Sequence, residues 1–487
     1  MKKVLLGTTA LLAAGMFAGP ALGQARTAMT ATNFNLSLGG FAEFEGLYQD
    51  KFPDQNITGL DGDGTLTDQP RKMVFGFDGE LEFRGNATLP NGVKVGFEFE
   101  LETAGAEPSL NKFCTPTTTA GANSAKTARS RFACADYIDD NFMFVDGRYG
   151  KVTLGGVGEP AGYAISAPRA YTSGNGIKLV DEAGETLNVA GINRASFTNS
   201  ISVSAGRNRV IYEAPAMSGV RLMLAYAPDL GAENTTIKSQ EDDVDQADQD
   251  IHIQAQWSGA VAGNRLRLSG GWATSSAENR DPTQTMVHSN VRWRIGADYQ
   301  FGQLTLGGHY RQGLRNAVSV LQDEDMKTWG VGATYKMGVW EFGATYERAI
   351  TEQKGDAAVT AVAAVAATVG ANIGTPAITA VDSNNRGTGE DVAVRWDVGA
   401  TYTGLGKGRV IRLGAREEDW QDNNNDPDLE SKIRSIDAVY EWAVGPGVSL
   451  TAGYTNYRYT HHTGLDATNT QRTRTANGVS IRTRFAF

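Results

Sequence analysis

The sequence predicts an all-β protein, a transmembrane antiparallel β-barrel of sixteen or eighteen strands, an even number in either case. Three observations carry that prediction. Segments alternate apolar and polar residues with a period of two, as strands do when their faces meet different solvents. The hairpins recur to the last residue, with short turns on one side and long polar loops on the other. Many segments also end in Tyr or Trp on the apolar face, where a bilayer interface would lie. A soluble sandwich strand alternates too, so one hairpin decides nothing; the asymmetric repetition decides.

The chain starts Met1-Lys2-Lys3, runs apolar from Val4 to Phe17 and reaches small residues between Ala21 and Ala25. This is the layout of a secretory signal peptide over residues 1–25, its apolar run too short for a spanning helix. Residues 26–487 then form the barrel. A charged fraction of 21% and a mean hydropathy of −0.32 suggest a soluble protein, but barrel strands place their membrane face at alternate positions and never form a long apolar run. The net charge of −10 argues against a nucleic-acid partner.

The first strand, Asn33 to Tyr48, sets Phe34, Leu36, Leu38, Ala42 and Phe44 on one parity against Ser37, Glu43 and Glu45 on the other. The loop from Gln49 to Lys72 contains Asp61-Gly62-Asp63-Gly64-Thr65, which resembles the D-x-D-G-T motif of haloacid-dehalogenase phosphatases. That family places the motif after a buried strand; here Asp54-Gln55-Asn56 and Gly59 precede it and no helical period follows. Asp61, Asp63 and Asp68 offer hard oxygen ligands for a weak Ca²⁺ site, without the placed Gly and final Glu of an EF-hand. A solvated turn is the simplest reading. No other cofactor is expected.

Met73 to Glu102 is the clearest hairpin. Phe75, Phe77, Leu81 and Phe83 oppose Asp78, Glu80, Glu82 and Arg84 in parity; after Leu89-Pro90-Asn91-Gly92, Val93, Val95, Phe97, Phe99 and Leu101 oppose Lys94, Glu98, Glu100 and Glu102. The loop over residues 104–139 holds the only two cysteines, Cys114 and Cys134. An exported chain meets an oxidising compartment, so a disulfide is expected; no His or further Cys lies nearby to make a metal site. Two short candidate strands, Asn141 to Val145 and Lys151 to Gly155, flank the turn from Asp146 to Gly150. The count is eighteen if both are strands and sixteen if one belongs to a loop.

A family resemblance enters here. RYGKVTLGG (residues 148–156), a long internal loop and then RNRVIYEAPAMSGVRLMLAY (residues 207–226) resemble the constriction-loop region of Gram-negative general diffusion porins of the alphaproteobacterial type, with Val210, Tyr212, Pro215, Gly219 and Tyr226 at matching places. The resemblance implies a homotrimeric outer-membrane channel for small hydrophilic solutes, surrounded by lipid and lipopolysaccharide. It implies that the loop over residues 157–205 folds into the barrel as a constriction, with its acidic tip at Asp181, Glu182 and Glu185. An extracellular flap is the alternative. Gly156-Val157 stands where that family often carries an Arg.

Further hairpins follow from Ile251 to Tyr454. The Ala/Val-rich stretch from Asp356 to Val381 is broken by Thr368, Gly370, Asn372, Gly374 and Pro376 and reads as a loop rather than a transmembrane helix. The last strand, Gly478 to Phe487, alternates again, and its terminal Phe487 resembles the signal recognised by the barrel-assembly machinery.

Inward parity assigns Glu43, Glu45, Asp78, Glu80, Glu82, Glu98, Glu100 and Glu102 to the first three strands. It assigns Arg207, Arg209, Arg221, Arg265, Arg267, Arg292, Arg294, Arg395, Arg412 and Arg416 to later ones. Opposite signs on opposite arcs of a wet pore make a transverse field. With Asp181, Glu182, Glu185, Asp242, Asp243 and Asp245 in the loops, weak cation selectivity is expected. The histidines His252, His288, His309, His461 and His462 show no metal spacing with carboxylates, and no G-x-S-x-G is present. An outer-membrane hydrolase is therefore a remote alternative. A substrate-selective channel for a sugar or an anion is the nearer one, favoured by a count of eighteen.

Overall fold

The structure, a computed structural model, describes residues 33–50, 72–103, 138–158, 163–171, 197, 201, 208–229, 247–277, 288–317, 323–354, 389–421, 431–462 and 471–487. The strands in chain order are β1 (Asn33–Gln49), β2 (Met73–Thr88), β3 (Lys94–Thr103), β4 (Ile138–Gly147), β5 (Gly150–Gly156), β6 (Asn208–Glu213), β7 (Val220–Asp229), β8 (Ala247–Val261) and β9 (Asn264–Ala277), followed by β10 (His288–Phe301), β11 (Leu304–Ala317), β12 (Asp323–Met337), β13 (Trp340–Lys354), β14 (Gly389–Tyr402), β15 (Arg409–Gln421), β16 (Ser431–Gly445), β17 (Val448–His462) and β18 (Gln471–Ala486). Each pairs antiparallel with its neighbours in sequence. Because β1 pairs with both β2 and β18, the 18-stranded sheet closes on itself and keeps no edge.

Both short candidate strands are real: β4 and β5 pair from Asn141↔Gly156 to Gly147↔Gly150. The count is therefore eighteen. Turns at one end of the barrel are tight. Gly302-Gln303 joins β10 to β11 and Gly338-Val339 joins β12 to β13, with φ of 55° at Gly302 and 61° at Gly338. A left-handed residue in a two-residue hairpin turn favours glycine at these positions. The opposite end carries the longer connections. Those holding Asp61, Asp63, Asp68, Cys114 and Cys134, the stretch 356–381 and the leader 1–25 lie outside the described residues.

Alternation becomes an inside-out distribution. Along β16, Ile433, Ser435, Asp437 and Val439 are buried while Arg434, Ile436 and Ala438 are exposed. Around the barrel the outward residues are apolar, with Leu36 65% and Ile481 62% exposed, whereas inward Gln254, Glu347, Asp397 and Asp437 are buried. A soluble protein sorts residues the other way. Rings pair across strands on the outer face: Trp293 with Tyr310 at 5.0 Å, Trp329 with Tyr346 at 5.3 Å and Trp340 with Tyr402 at 4.5 Å between centroids.

Two inward patches break the polar rule. Ile211, Met223 and Ala225 on β6 and β7 bury Tyr163, and Val157 packs against them. Ala349, Ala393, Trp420 and Ile433 on β13 to β16 receive Phe197 and Tyr457. Tyr163 and Phe197 belong to the connection between β5 and β6, so the wall is apolar where that connection docks.

Candidate functional site

The described part of that connection, residues 163–171, is an extended strap laid across the inner wall. Tyr163 donates its hydroxyl to Glu213 on β6 at 3.2 Å, and the Arg221 guanidinium of β7 lies 4.6 Å from its ring centroid. Burial, and then the Glu213 carboxylate, raise the Tyr163 phenol above its ordinary value, so it stays a neutral donor. The Ile165 N–H donates to Ser269 Oγ on β9 at 3.2 Å, and the Ala167 N–H donates to His309 Nδ1 on β11 at 3.1 Å. The Pro168 carbonyl accepts from Thr345 Oγ1 on β13 at 3.0 Å and the Ala170 carbonyl from Thr401 Oγ1 on β14 at 3.4 Å. The strap thus finds wall partners for its own backbone, as a buried extended segment must.

Arg169 carries charge from the strap into the wall. Its guanidinium lies 2.8 Å from Glu347 Oε1, while Arg395 Nε donates to Glu347 Oε2 at 2.8 Å. Glu347 is 1% exposed. Arg395 also reaches Asp397 at 3.5 Å and Glu418 at 3.7 Å; Arg416 pairs with Glu418 and lies 4.0 Å from Asp397. Three guanidiniums and three carboxylates therefore neutralise one another between the strap and β13 to β15, with the Phe197 ring centroid 4.4 Å from Arg395 Cζ. Removal from water requires this, because a buried unpaired charge is far costlier than a buried pair.

The wall of β1 to β3 is arranged differently. Glu43, Glu45, Glu80, Glu82, Glu98 and Glu100 are half-buried and Asp78 is exposed. Glu43 stands directly opposite Asp78, and Glu82 directly opposite Glu100. Like charges across a ladder repel. Arg84 relieves part of this, 2.6 Å from Glu82 and 3.0 Å from Glu98, and Arg482 of β18 lies 3.3 Å from Glu43. Carboxylates still outnumber guanidiniums on this wall.

Of the residues expected to line the pore, Glu82, Arg84 and Glu98 are brought together, and Glu100 sits beside them on β3. Arg209 on β6 and Arg294 on β10 are buried, and Arg294 donates to Gln254 on β8. Arg292 shares the inward parity of Arg294, its side chain beside Gly313 of β11. Asp181, Glu182, Glu185 and Arg207 lie outside the described residues. Phe487 is exposed on the outer face, its backbone hydrogen-bonded to Gly40.

The arginines of the later strands are met by inward carboxylates: Asp298 pairs with Arg267, Glu441 with Arg412, and Glu347, Asp397 and Glu418 with Arg395 and Arg416. Parity alone could have found these carboxylates, since all share the inward set of their strands. His252, 2.6 Å from Asp250, and His309 are buried wall residues. Among the described residues no group of His, Cys, Asp or Glu is arranged to hold a metal ion.

Comparison with known proteins places this geometry in a family. A family model described as Gram-negative porin matches residues 7–368. Among solved structures, the anion-selective porin from Comamonas acidovorans is 16% identical, covering 93% of this chain and 100% of that one at a TM-score of 0.43. In vitro folded OmpT, an outer membrane protein of Vibrio cholerae, is 10% identical over 94% and 100% at 0.44. The outer membrane channel DcaP of Acinetobacter baumannii is 12% identical over 93% and 98% at 0.44. No curated protein matches.

Proposed function

The chain belongs to the Gram-negative porin family, and from that premise we propose that it conducts small hydrophilic solutes and ions passively through a water-filled lumen, with a weak preference for cations. Family and fold are those of an outer-membrane channel rather than an enzyme. The observation that carries the finer reading is the wall of β1 to β3, where inward carboxylates outnumber guanidiniums and keep contact with solvent. Such a wall lowers the energy of a nearby cation and raises that of an anion.

Planar-bilayer recording is the test. Stepwise conductance with a reversal potential of cationic sign across a KCl gradient is expected, and a silent bilayer at high protein load would refute conduction. The acidic tip Asp181, Glu182 and Glu185 is proposed to add to the preference; an unchanged reversal potential in Asp181→Asn/Glu182→Gln would remove it from the account. The eighteen strands favour a second reading, a substrate-selective channel, which predicts current block by one sugar or anion at low concentration.

The assembly proposed is a homotrimer set in lipid and lipopolysaccharide and inserted by the barrel-assembly machinery after cleavage of residues 1–25. Chemical cross-linking and N-terminal sequencing test these points. A bridge between Cys114 and Cys134 is proposed as well, and stoichiometric thiol labelling of unreduced protein would exclude it. Weak Ca²⁺ binding by Asp61, Asp63 and Asp68 remains the only ion site proposed, to be tested by calcium titration.

A further inference from the structure

Four inward positions beneath the strap are glycines: Gly296 on β10, Gly332 on β12, Gly343 on β13 and Gly399 on β14. A Cβ at Gly296 would overlap the Ile165 carbonyl, and one at Gly332 the Pro168 carbonyl. At Gly343 it would stand 2.5 Å from the Ala170 nitrogen, and at Gly399 it would overlap the Tyr171 backbone. Successive stretches of one extended segment thus rest on wall backbone at places where any other residue would hold it off. The side chains between them, Ser269, His309, Thr345 and Thr401, supply the hydrogen bonds to the same segment. Gly76, also inward but on β2, has no atom within 4 Å of its notional Cβ. Other inward glycines are crowded by other groups, Gly271 and Gly330 by side chains and Gly307 by the backbone of β10, so contact with the strap's own backbone is the property of this track.

We infer that Gly296, Gly332, Gly343 and Gly399 are positioning residues that set how far the strap stands from the wall, and thereby the free cross-section of the channel. This rests on the channel reading above. Interiors are packed too tightly to absorb an added methyl without displacement. The hydrogen bonds at both sides fix the strap laterally, so it must rise into the lumen. Flow through a narrow aqueous path depends steeply on its section, so a small rise is amplified in the current.

The test compares Gly343→Ala and Gly399→Val with Gly76→Val in the full chain. The readouts are single-channel conductance and the swelling of protein-loaded liposomes in sugars of graded size. For the two track variants conductance is expected to fall about twofold or to become unsteady, with the larger sugars excluded first. Gly76→Val is expected to leave the sugar cut-off where it is. Heat-modifiable gel mobility reports whether each barrel has folded, a property the inference leaves unchanged. Gly343→Ala, the mildest overlap, carries the test if the valine variant does not assemble. Wild-type conductance and cut-off in a folded Gly343→Ala barrel would overturn the inference. Equal losses in Gly76→Val and the track variants would overturn it too. A wild-type protein that conducts nothing would instead fail the channel reading itself.

Discussion

The wall of β1 to β3 and the wall of β13 to β15 are cut from the same alternating strand, yet they manage charge in opposite ways. On the first, Glu82 and Glu100 face each other across the ladder and remain half-exposed. On the second, Glu347, Asp397 and Glu418 are buried under a strap that brings Arg169 to join Arg395 and Arg416. Burial forces pairing, and exposure permits imbalance. A wall in contact with solvent can carry net charge, which is why the proposed selectivity is placed on β1 to β3 and rigidity on the side beneath the strap.

The strongest way to break that contrast is to treat the covered wall as the open one. Glu347→Gln leaves Arg169 and Arg395 without their shared carboxylate in a buried setting, and a loss of about 3–5 kcal/mol is expected. Urea unfolding in detergent would read it. A loss below about 1 kcal/mol, the scale of an exposed ion pair, would mean that solvent reaches this network and that the two walls do not differ in burial.

A smaller effect belongs to the apolar seat of the strap's return. Phe197→Ala removes a half-buried ring from Ala349, Ala393, Trp420 and Ile433 and its stacking on Arg395. About 2 kcal/mol is expected, below the ~3–5 of a fully buried Phe. Noisier current should accompany it, since the ring is one of the points tying the loop to the wall. Stability and current noise both at the wild-type level would show that Phe197 anchors nothing.

The barrel was largely legible in the sequence, because a period of two against lipid fixes which residues face out, and hairpin spacing then fixes the order of strands. The count hung on β4 and β5, whose short runs and clustered glycines weaken the pattern. Much less of the inner wall was legible. Parity places Arg395 and Arg416 inward together with Glu347, Asp397 and Glu418, but it does not say which carboxylate meets which guanidinium, because those pairings cross from strand to strand. The strap is not legible because Tyr163 to Tyr171 has no periodicity of its own; its course is set by contacts far away in sequence. Inward glycines at 296, 332, 343 and 399 were a readable signal, for a glycine on the lumen face of four nearby strands asks what lies above it.

On the open wall the same chemistry should act with the opposite sign on stability. Asp78→Asn removes the like charge facing Glu43 while keeping an oxygen for the Gly79 N–H, and is expected to stabilise the barrel by ~0.2–1 kcal/mol, where Glu347→Gln is expected to destabilise it. Glu82→Gln/Glu100→Gln should lower cation preference in the reversal potential, because two carboxylates leave a wall that has no surplus of arginine to hide. A destabilised Asp78→Asn would show that this carboxylate is held by partners as Glu347 is, and the contrast between walls would then be lost.

The smallest effect expected is that of salt on the parent channel, and it separates the two walls without any substitution. The Debye length shrinks from about 30 Å at 0.01 M to about 3 Å at 1 M ionic strength. Carboxylates in contact with solvent are screened over that range, whereas Glu347, buried and within hydrogen-bond distance of Arg169 and Arg395, is screened much less. Cation preference should therefore decline steadily with salt while the unfolding midpoint barely moves. A preference constant from 0.01 M to 1 M would place the selective charges among the buried groups. A midpoint falling in step with the preference would mean that one set of exposed ion pairs both selects ions and holds the barrel together.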